Sequence, residues 1–413
     1  MKLLVYCKDY APLETGFAIA FRGFCEALAD HHHDVAVTVV TPTPEISSGI
    51  AAPDMQVVPV VRLAHAFVES DPHASGWLRR ITFAAASLLN RLIWSRRLTK
   101  LFRAGGYDLL VFESADDLLI VGALPKTVLA RVAIRFHSTG DTETARYSQG
   151  STRKLERWLI RQRVSRHVRV ILATNRYHLD FIKTFYFADD PYRLARCYFG
   201  IVPNVINDVS LPVVSGTADT LIDPARVNLV TLGRMDRQGV AQKGFEDLFY
   251  ALAIAPDDVR ARINLVIVGD GPRRAALTAL AQSLAPDCVR FAGRLDNSDV
   301  RKLLTMAEVI VLLSRFEGLS MFAIEGMLSQ CAALFTRTGG IADLVSDNGW
   351  LVEVQSIDGI AQTLGEIVQT PRAALAAMGQ NSRRYAQHHF GAQTVAVIGY
   401  RHLSNAILYL ANV

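Results

Sequence analysis

Residues 314–327 read SRFEGLSMFAIEGM, and they follow a short apolar run, VIVLL, at 309–313. The apolar run is typical of a strand buried on both faces, and the apolar residues after the turn are typical of a helix. In an open α/β sheet, this order places residues 317–320 at the carboxyl end of the strand, where ligands bind, close to the N–H groups of the helix. The stretch therefore predicts an α/β fold with a ligand site at the edge of a sheet.

Two glutamates in this stretch are suited to a polyhydroxyl ligand. Glu317 and Glu325 are eight positions apart, so they share no helical face if every residue between them is helical. They converge if Glu317 lies in the loop and Glu325 in the helix. Two carboxylates beside N–H groups that suit a phosphate fit a sugar nucleotide. The spacing alone has no weight, because two solvated glutamates on a helix surface would produce it as well.

Two cations come earlier in the same half of the chain. Gly233 and Arg234 directly follow an apolar run at 227–232, and Lys243 comes before an amphipathic segment at 245–254. Arginine forks onto two phosphate oxygens and lysine supplies a point charge, so the two can neutralise a diphosphate. A basic surface turn is the alternative. We expect residues 235–242 to form a loop that carries Lys243 back towards the phosphates.

These motifs, together with TGGIADLV at 338–345, resemble the retaining glycosyltransferases of family 4. That family has the GT-B architecture, an α/β fold of two facing Rossmann-like domains with a cleft between them. The resemblance is specific from Gly233 to Val345 and weaker in the first half of the chain. It implies an N-terminal acceptor-binding domain at 1–206, to which a C-terminal helix at about 395–413 returns, and a nucleotide-sugar-binding domain at 207–394.

The resemblance also implies roles for individual residues. Glu325 would accept hydrogen bonds from the ribose, and Glu317 would bind the donor sugar and stabilise positive charge at the anomeric carbon. Arg234 and Lys243 would stabilise the departing diphosphate, and Glu317, Arg234 and Lys243 are therefore candidate catalytic residues. The main-chain N–H groups that would assist them belong to Gly318, Leu319, Ser320 and Met321.

Further positions follow from the resemblance outside this stretch. His137 comes directly after the apolar run VAIRF at 132–136 and would contact the donor sugar as a fourth catalytic residue. Gly16 would approach the donor diphosphate, and the main chain near Gly293 and Arg294 would hold the base. A structural hydrogen bond of His137 and a simple turn at Gly16 are the alternatives.

The implied reaction moves a sugar from a UDP- or GDP-linked donor to an acceptor hydroxyl with retention of configuration. No residue stands out as a nucleophile, so we expect front-face attack, with the leaving phosphate taking the acceptor's proton. We expect no cofactor and no metal, because two fixed cations can act in place of a metal and the sequence has no Asp-x-Asp triplet. A GT-B-like epimerase or phosphorylase, or an inactive nucleotide-sugar-binding or scaffold protein, is the alternative.

The cysteines and the lengths of the apolar runs indicate the cellular compartment. The five cysteines of the 413 residues are scattered without a Cys-x-x-Cys pair, which favours a reducing cytoplasm and argues against a zinc site. The first apolar run is too short for a signal peptide, and no apolar stretch approaches the roughly 20 residues of a spanning helix.

The net charge of +5 is unevenly placed along the chain. Segments 76–104 and 151–169 carry seven Arg or Lys each, and the two segments together contain a single acid, Glu156. Both segments also contain Trp and long aliphatic residues. Basic amphipathic helices of this kind suit an anionic membrane surface, although solvated arginines on ordinary helices are the alternative. No nucleic-acid-binding signature accompanies the charge. We therefore expect a cytoplasmic protein, peripheral at the inner membrane face, that acts on a lipid-linked saccharide or glycan in cell-surface polysaccharide or glycolipid assembly.

Overall fold

The structure is a computed structural model, and its described residues divide into two compact units. Unit 1 comprises Met1–Val205 together with Ala392–Val413, and unit 2 comprises Ile206–Gly391. The basic segment predicted at 151–169 is described only from residue 165, and residues 207–216 also lie outside the described part. The described residues are 1–10, 16–42, 58–63, 77–113, 118–137, 165–187, 190–206 and 217–413.

Unit 1 contains a parallel sheet of seven strands within the described ranges. Its strands are β1 (Lys2–Tyr6), β2 (Ala36–Thr41), β3 (Val60–Arg62), β4 (Leu109–Phe112), β5 (Val132–Phe136), β6 (Val170–Ala173) and β7 (Tyr198–Ile201). The spatial order is β3-β2-β1-β4-β5-β6-β7, and every pair is parallel. All residues of β4, β5 and β6 are buried, as is usual when helices cover both faces of a parallel sheet.

Unit 2 contains a second parallel sheet, of six strands. Its strands are β8 (Val227–Leu232), β9 (Ile263–Val268), β10 (Val289–Gly293), β11 (Val309–Leu312), β12 (Ala332–Thr336) and β13 (Gly349–Val352). The order is β10-β9-β8-β11-β12-β13, so β8 pairs with β11 although β9 and β10 lie between them in sequence. Strand order reverses at this pair, and in open α/β sheets ligands bind beyond the carboxyl ends of such a pair.

Helices connect the strands in both units. The α-helices of the described residues are α1 (Gly16–His31), α2 (Trp77–Gly105), α3 (Leu118–Ala123), α4 (Lys126–Leu129), α5 (Ser165–His167), α6 (Arg176–Phe187), α7 (Pro191–Leu194), α8 (Arg237–Lys243), α9 (Phe245–Ile254), α10 (Asp257–Ala261), α11 (Arg274–Leu284), α12 (Asn297–Met306), α13 (Met321–Leu328), α14 (Ile357–Gln369), α15 (Arg372–Phe390) and α16 (Ala392–Ala411). The last helix, α16, belongs to unit 1 and packs against α1. His402 on α16 also contacts β7, where its Nδ1 lies 2.7 Å from the Tyr198 hydroxyl.

The two Rossmann-like domains predicted from the sequence are confirmed, and one local prediction is wrong. Residues 235–242, which we expected to form a loop, contain most of helix α8. Asp236 begins this helix because its carboxylate accepts the N–H of Gly239 at 2.6 Å. The segment between Arg234 and Lys243 therefore contains about two helical turns.

No helix in the described part of the chain combines the length and the apolar composition that crossing a bilayer requires. The longest, α2, has 29 residues but is rich in arginine.

Candidate functional site

An ion pair lies at the carboxyl edge of the sheet in unit 2. Lys243 Nζ donates to Glu317 Oε2 at 2.6 Å, although the two residues are 74 positions apart in sequence. The Ser314 hydroxyl donates to the same carboxylate oxygen at 3.2 Å. The side chains are 17% and 12% exposed, so solvent and small anions can still reach the pair.

A glycine allows Lys243 to reach this position. Helix α8 ends at Lys243, and Gly244 follows with a φ of 66°, in the left-handed region that glycine adopts most easily. A Cβ atom at this position would lie 2.2 Å from the carbonyl oxygen of Leu313, at the end of β11. The glycine after Lys243 therefore permits the junction of α8 and α9 to pack against the strand that carries Glu317.

The loop between β11 and α13 is braced from three sides. The guanidinium of Arg315 donates to both carboxylate oxygens of Asp247 on α9, at 2.8 and 3.2 Å. Thr336, at the end of β12, donates its hydroxyl to the carbonyl of Ser314 at 2.6 Å. Ser320 caps α13 by accepting an N–H from its first turn at 3.3 Å. These contacts hold Gly318, Leu319 and the helix start at Met321 in a fixed geometry.

Glu325 lies in α13 and is half-buried. Burial raises the pKa of its carboxyl above the ordinary value, and Arg301 on α12 offsets part of this effect. No side chain in the described part of the protein donates a hydrogen bond to this carboxylate. Its oxygens therefore have the capacity to accept hydrogen bonds from ligand hydroxyls.

Arg234 follows β8 but does not join the ion pair. Its Nη1 donates to Asp236 Oδ2 at 2.9 Å, and its side chain is 63% exposed. Asp236 also caps α8 through its other oxygen. The guanidinium is therefore held at the edge of the sheet and keeps donors directed to solvent.

Gly293 and Arg294 lie at the end of β10, two strands away from β8 on the same carboxyl edge. Gly293 has a φ of 75°, and its carbonyl accepts the N–H of Gly269 at 2.9 Å. The side chain of Arg294 is exposed.

The remaining two predicted residues, His137 and Gly16, belong to unit 1. Gly16 is the first residue of α1. His137 follows β5 and is only 8% exposed, with Nε2 at 2.6 Å from Glu113 Oε2. Burial lowers the pKa of His137, Arg135 lowers it further, and Glu113 acts in the opposite direction.

Sequence reasoning assigned no role to Glu113 or Arg135. Arg135 is fully buried in β5 and donates from Nη1 to Glu113 Oε2 at 2.7 Å. A signal was available, because an arginine inside an otherwise apolar run must find an anionic partner if the run is buried. Glu113, at the end of the neighbouring strand β4, was the available acid.

Comparison with known proteins supports a relation to glycosyltransferases. Residues 226–370 match the family described as Glycosyl transferases group 1, and this segment contains Arg234, Lys243, Glu317 and Glu325. The chain is similar to the MMP alpha-(1->4)-mannosyltransferase of Mycolicibacterium hassiacum, with 28% identity over 203 residues and 48% of each chain covered. The chain therefore spans about half the length of the curated relatives that it matches.

Solved structures resemble the chain over nearly its whole length. Sucrose-phosphate synthase from Thermosynechococcus elongatus matches with a TM-score of 0.71 and 19% identity, over 98% of this chain and 99% of that one. Anabaena Alr3699/HepE, solved in complex with UDP and glucose, matches with a TM-score of 0.63 and 15% identity, over 98% and 100% of the two chains. Likeness at these identities identifies the fold, and the chain has the GT-B fold.

Proposed function

We propose that this protein is a retaining glycosyltransferase that moves a sugar from a UDP- or GDP-linked donor to an acceptor hydroxyl. The observation that carries the proposal is the Lys243–Glu317 ion pair, which lies beyond the strand pair at which strand order reverses in unit 2. A cation for a diphosphate and a carboxylate for sugar hydroxyls are thereby brought within 2.6 Å of each other. The family match of residues 226–370 supports the same assignment.

Donor binding would separate Lys243 from Glu317, because the two side chains would bind different parts of the nucleotide sugar. The diphosphate takes Lys243 as its counterion, and the freed carboxylate of Glu317 accepts hydrogen bonds from the donor sugar. Arg234 adds a guanidinium whose exposed N–H groups fork onto phosphate oxygens. Because these cations are fixed before the reaction, they stabilise the negative charge that grows on the departing diphosphate.

The remaining parts of the proposed reaction are the binding of the nucleoside and the attack of the acceptor. Glu325 accepts the ribose hydroxyls, and the main chain near Gly293 and Arg294 holds the base. The bond from the anomeric carbon to the diphosphate breaks while the acceptor oxygen bonds the same face of that carbon. The leaving phosphate oxygen receives the acceptor's proton. Glu317 stabilises the positive charge at the anomeric carbon, and no metal or cofactor takes part in the proposed reaction.

Helix α2 supports a lipid-linked acceptor at an anionic membrane surface. Its residues at four-residue intervals lie on one face. Leu88 is 48% exposed and Leu92 is 41% exposed on this face, beside Leu89 at 42%. Towards the end of the helix, the same face carries the exposed side chains of Arg96, Lys100 and Arg103. Leucines that enter the headgroup region beside cations that pair with anionic lipids form a membrane-surface helix. The residues of this face are Leu88, Leu92, Arg96, Lys100 and Arg103.

A ligand panel tests the donor assignment. Melting temperature would be measured with UDP, GDP and their sugars, because a ligand that binds only the folded state raises it. We expect one nucleoside diphosphate and its sugar to stabilise the protein, and proton NMR of the product to show the donor's anomeric configuration. Release of an epimerised nucleotide sugar without acceptor would identify an epimerase instead, and binding without turnover on any glycan or lipid acceptor would identify an inactive binder.

Vesicle flotation tests the membrane assignment separately. The protein is expected to float with vesicles of phosphatidylglycerol and phosphatidylcholine but not with phosphatidylcholine alone. Arg96→Glu with Lys100→Glu should abolish flotation, whereas the matched charge change Arg262→Glu with Arg290→Glu in unit 2 should preserve it. Equal flotation of both double variants would contradict the role of α2.

A further inference from the structure

A network of buried polar side chains lies at the carboxyl ends of β4 and β5 in unit 1. Glu113 and Arg135 have no exposed side-chain surface. Glu113 Oε2 accepts Arg135 Nη1 at 2.7 Å and lies 2.6 Å from His137 Nε2. Two charges removed from water need hydrogen bonds to compensate them, and Glu113 receives its hydrogen bonds through Oε2. Its buried Oε1 has no hydrogen-bond partner among the described residues.

The short contact between Glu113 and His137 fixes the position of a proton. An unprotonated Nε2 and a carboxylate oxygen are both acceptors, so a separation of 2.6 Å requires a proton between them. Burial alone would raise the pKa of Glu113, but Arg135 and His137 together hold it below the ordinary value. Burial lowers the pKa of His137. With the carboxyl ionised and the imidazole neutral, the 2.6 Å contact with Glu113 places the proton on Nε2. Arg135 Nη1 also lies near this nitrogen, at the longer distance of 3.2 Å.

Arg135 also binds the last residues of unit 1. Its Nε donates to the carbonyl of Val202 at 3.1 Å, and its Nη2 donates to the carbonyl of Pro203 at 2.6 Å and to Asn204 Oδ1 at 3.2 Å. Asn204 in turn forms a hydrogen bond with His137. One guanidinium thus connects the histidine after β5 to the segment that ends at the unit boundary.

We infer that Arg135 is a positioning residue, which fixes the tautomer and orientation of His137 through Glu113 and Asn204 and ties it to residues 202–204. The planar guanidinium serves four acceptors at once, which a lysine ammonium at the same place cannot do. The hydrogen bond made at one imidazole nitrogen decides which nitrogen carries the proton. The position of the proton is independent of the proposed function, and only the expected effect on turnover rests on it.

A spectroscopic test is independent of activity. Long-range proton–nitrogen NMR of protein labelled with nitrogen-15 histidine reports the tautomer of each ring, and the loss of one signal set in His137→Gln assigns His137. The unmodified protein should show His137 with its proton on Nε2 alone. In Arg135→Lys we expect a mixture of both tautomers. Retention of the single tautomer in that variant would overturn the inference.

A matched control distinguishes positioning from general loss of stability. Glu308 precedes β11 at the opposite edge of the unit 2 sheet, where its carboxylate accepts from Asn228 at 2.9 Å and Arg372 at 2.7 Å. Glu308→Gln should leave the His137 signals unchanged. If Arg135→Lys does not fold, Asn204→Ala replaces it, because it removes one hydrogen-bond partner of the imidazole while leaving Glu113 and Arg135 in place. Unchanged His137 signals in Asn204→Ala would then refute the inference.

Kinetics give the second measurement. With the donor identified by the ligand panel, Arg135→Lys should lower kcat by about 10–100-fold, by analogy with the loss of a group that orients a metal-bound histidine. KM for the donor should change much less, because Lys243, Arg234 and Glu325 are untouched, and Glu308→Gln should retain kcat. An unchanged kcat in Arg135→Lys would contradict the inference. If the unmodified protein turns over no nucleotide sugar, the proposed function fails while the NMR measurement still decides the positioning role.

Discussion

The charged groups at the carboxyl edges of the two sheets are arranged differently. In unit 1, Glu113 and Arg135 are fully buried, and the cation is used by acceptors of the chain itself. In unit 2, Lys243 and Glu317 remain partly exposed, and Glu325 has oxygens without a donor side chain among the described residues. The first arrangement makes a rigid frame, and the second leaves charge available to a ligand. Removal of a buried charge from unit 1 should therefore act mainly on stability, whereas substitutions at the Lys243–Glu317 pair of unit 2 should act mainly on binding and turnover.

The largest expected effect is on the stability of unit 1. Arg135→Met leaves Glu113 as an uncompensated buried charge, which should lower the free energy of unfolding by about 3–5 kcal/mol. A protein of two units need not unfold in a single step. The free energy of unfolding of unit 1 should therefore be measured locally, by hydrogen exchange of the β5 amides. Adding Glu113→Leu should recover most of the loss. If Arg135→Met lowered the free energy of unfolding by less than about 1 kcal/mol, the buried pair of unit 1 would not be the rigid frame that distinguishes it from the pair in unit 2.

The next largest effect is on turnover at the unit 2 site. Lys243→Ala should lower kcat/KM by about 100–1,000-fold, because it removes one fixed charge from the departing diphosphate. The melting temperature should fall less than in Arg135→Met, because the Lys243–Glu317 pair keeps some contact with solvent whereas the Arg135–Glu113 pair has none. Lys302→Ala is the matched control, because Lys302 forms a 2.6 Å ion pair with Asp219 and is 20% exposed. Equal activity of the two variants would contradict the site.

A smaller effect, on nucleoside diphosphate affinity, is expected from substitution of Glu325. Glu325→Gln should weaken nucleoside diphosphate binding by about 10–100-fold, since hydrogen bonds to a charged group contribute roughly 1.5–3 kcal/mol. Burial raises the pKa of this carboxyl, so affinity should fall with decreasing pH before an ordinary glutamate would protonate. Calorimetric titration across pH measures both effects, and the variant's affinity should be independent of pH in this window.

The stability effect of Glu325 has the opposite sign. A carboxyl whose folded-state pKa is raised binds more protons in the folded than in the unfolded protein, so its contribution to stability decreases as pH rises through that pKa. Glu325→Gln should therefore unfold at an equal or higher temperature than the unmodified protein at pH 7. A lower melting temperature together with unchanged nucleotide affinity would show that the carboxylate is structural.

The smallest expected effect is at an exposed ion pair. Arg337 donates to Glu353 at 2.9 Å, but the two side chains are 56% and 70% exposed. Arg337→Ala should change the free energy of unfolding by less than about 1 kcal/mol, because exposed pairs are screened by water. A loss comparable to that of Arg135→Met, measured by the same hydrogen-exchange method, would show that burial does not separate the two kinds of pair.

Strands β8 and β11 and helix α9 could be predicted from the sequence because their mostly apolar segments end at polar residues or glycine. The run at 227–232 forms β8, and the segment at 245–254 forms α9. The run at 309–313 forms β11 with one residue fewer. Local pattern is sufficient here because a strand covered on both faces is mostly apolar, even though β8 also buries Asn228 and Thr231.

Helix α8 and the Arg135–Glu113 pair could not be predicted in the same way. Helix α8 contains Gly239, a weak helix former, and its formation depends on the Asp236 cap. A Cβ at Gly239 would lie 2.1 Å from the carbonyl oxygen of Arg234, so the glycine is needed for close packing. The pairing of Arg135 with Glu113 joins residues 22 positions apart and becomes visible only when β4 and β5 are neighbours in the sheet.

Helix α16 gives unit 1 a component that is synthesised after all of unit 2. It covers apolar residues of α1, including Phe24 and Leu28, with its own Ala396 and Leu403. Unit 2 is continuous in sequence, so on the ribosome it is the first unit to have every residue it needs. Until Leu403 and its neighbours emerge, α1 keeps an uncovered apolar face, and the nascent chain is most exposed to aggregation and to chaperones there.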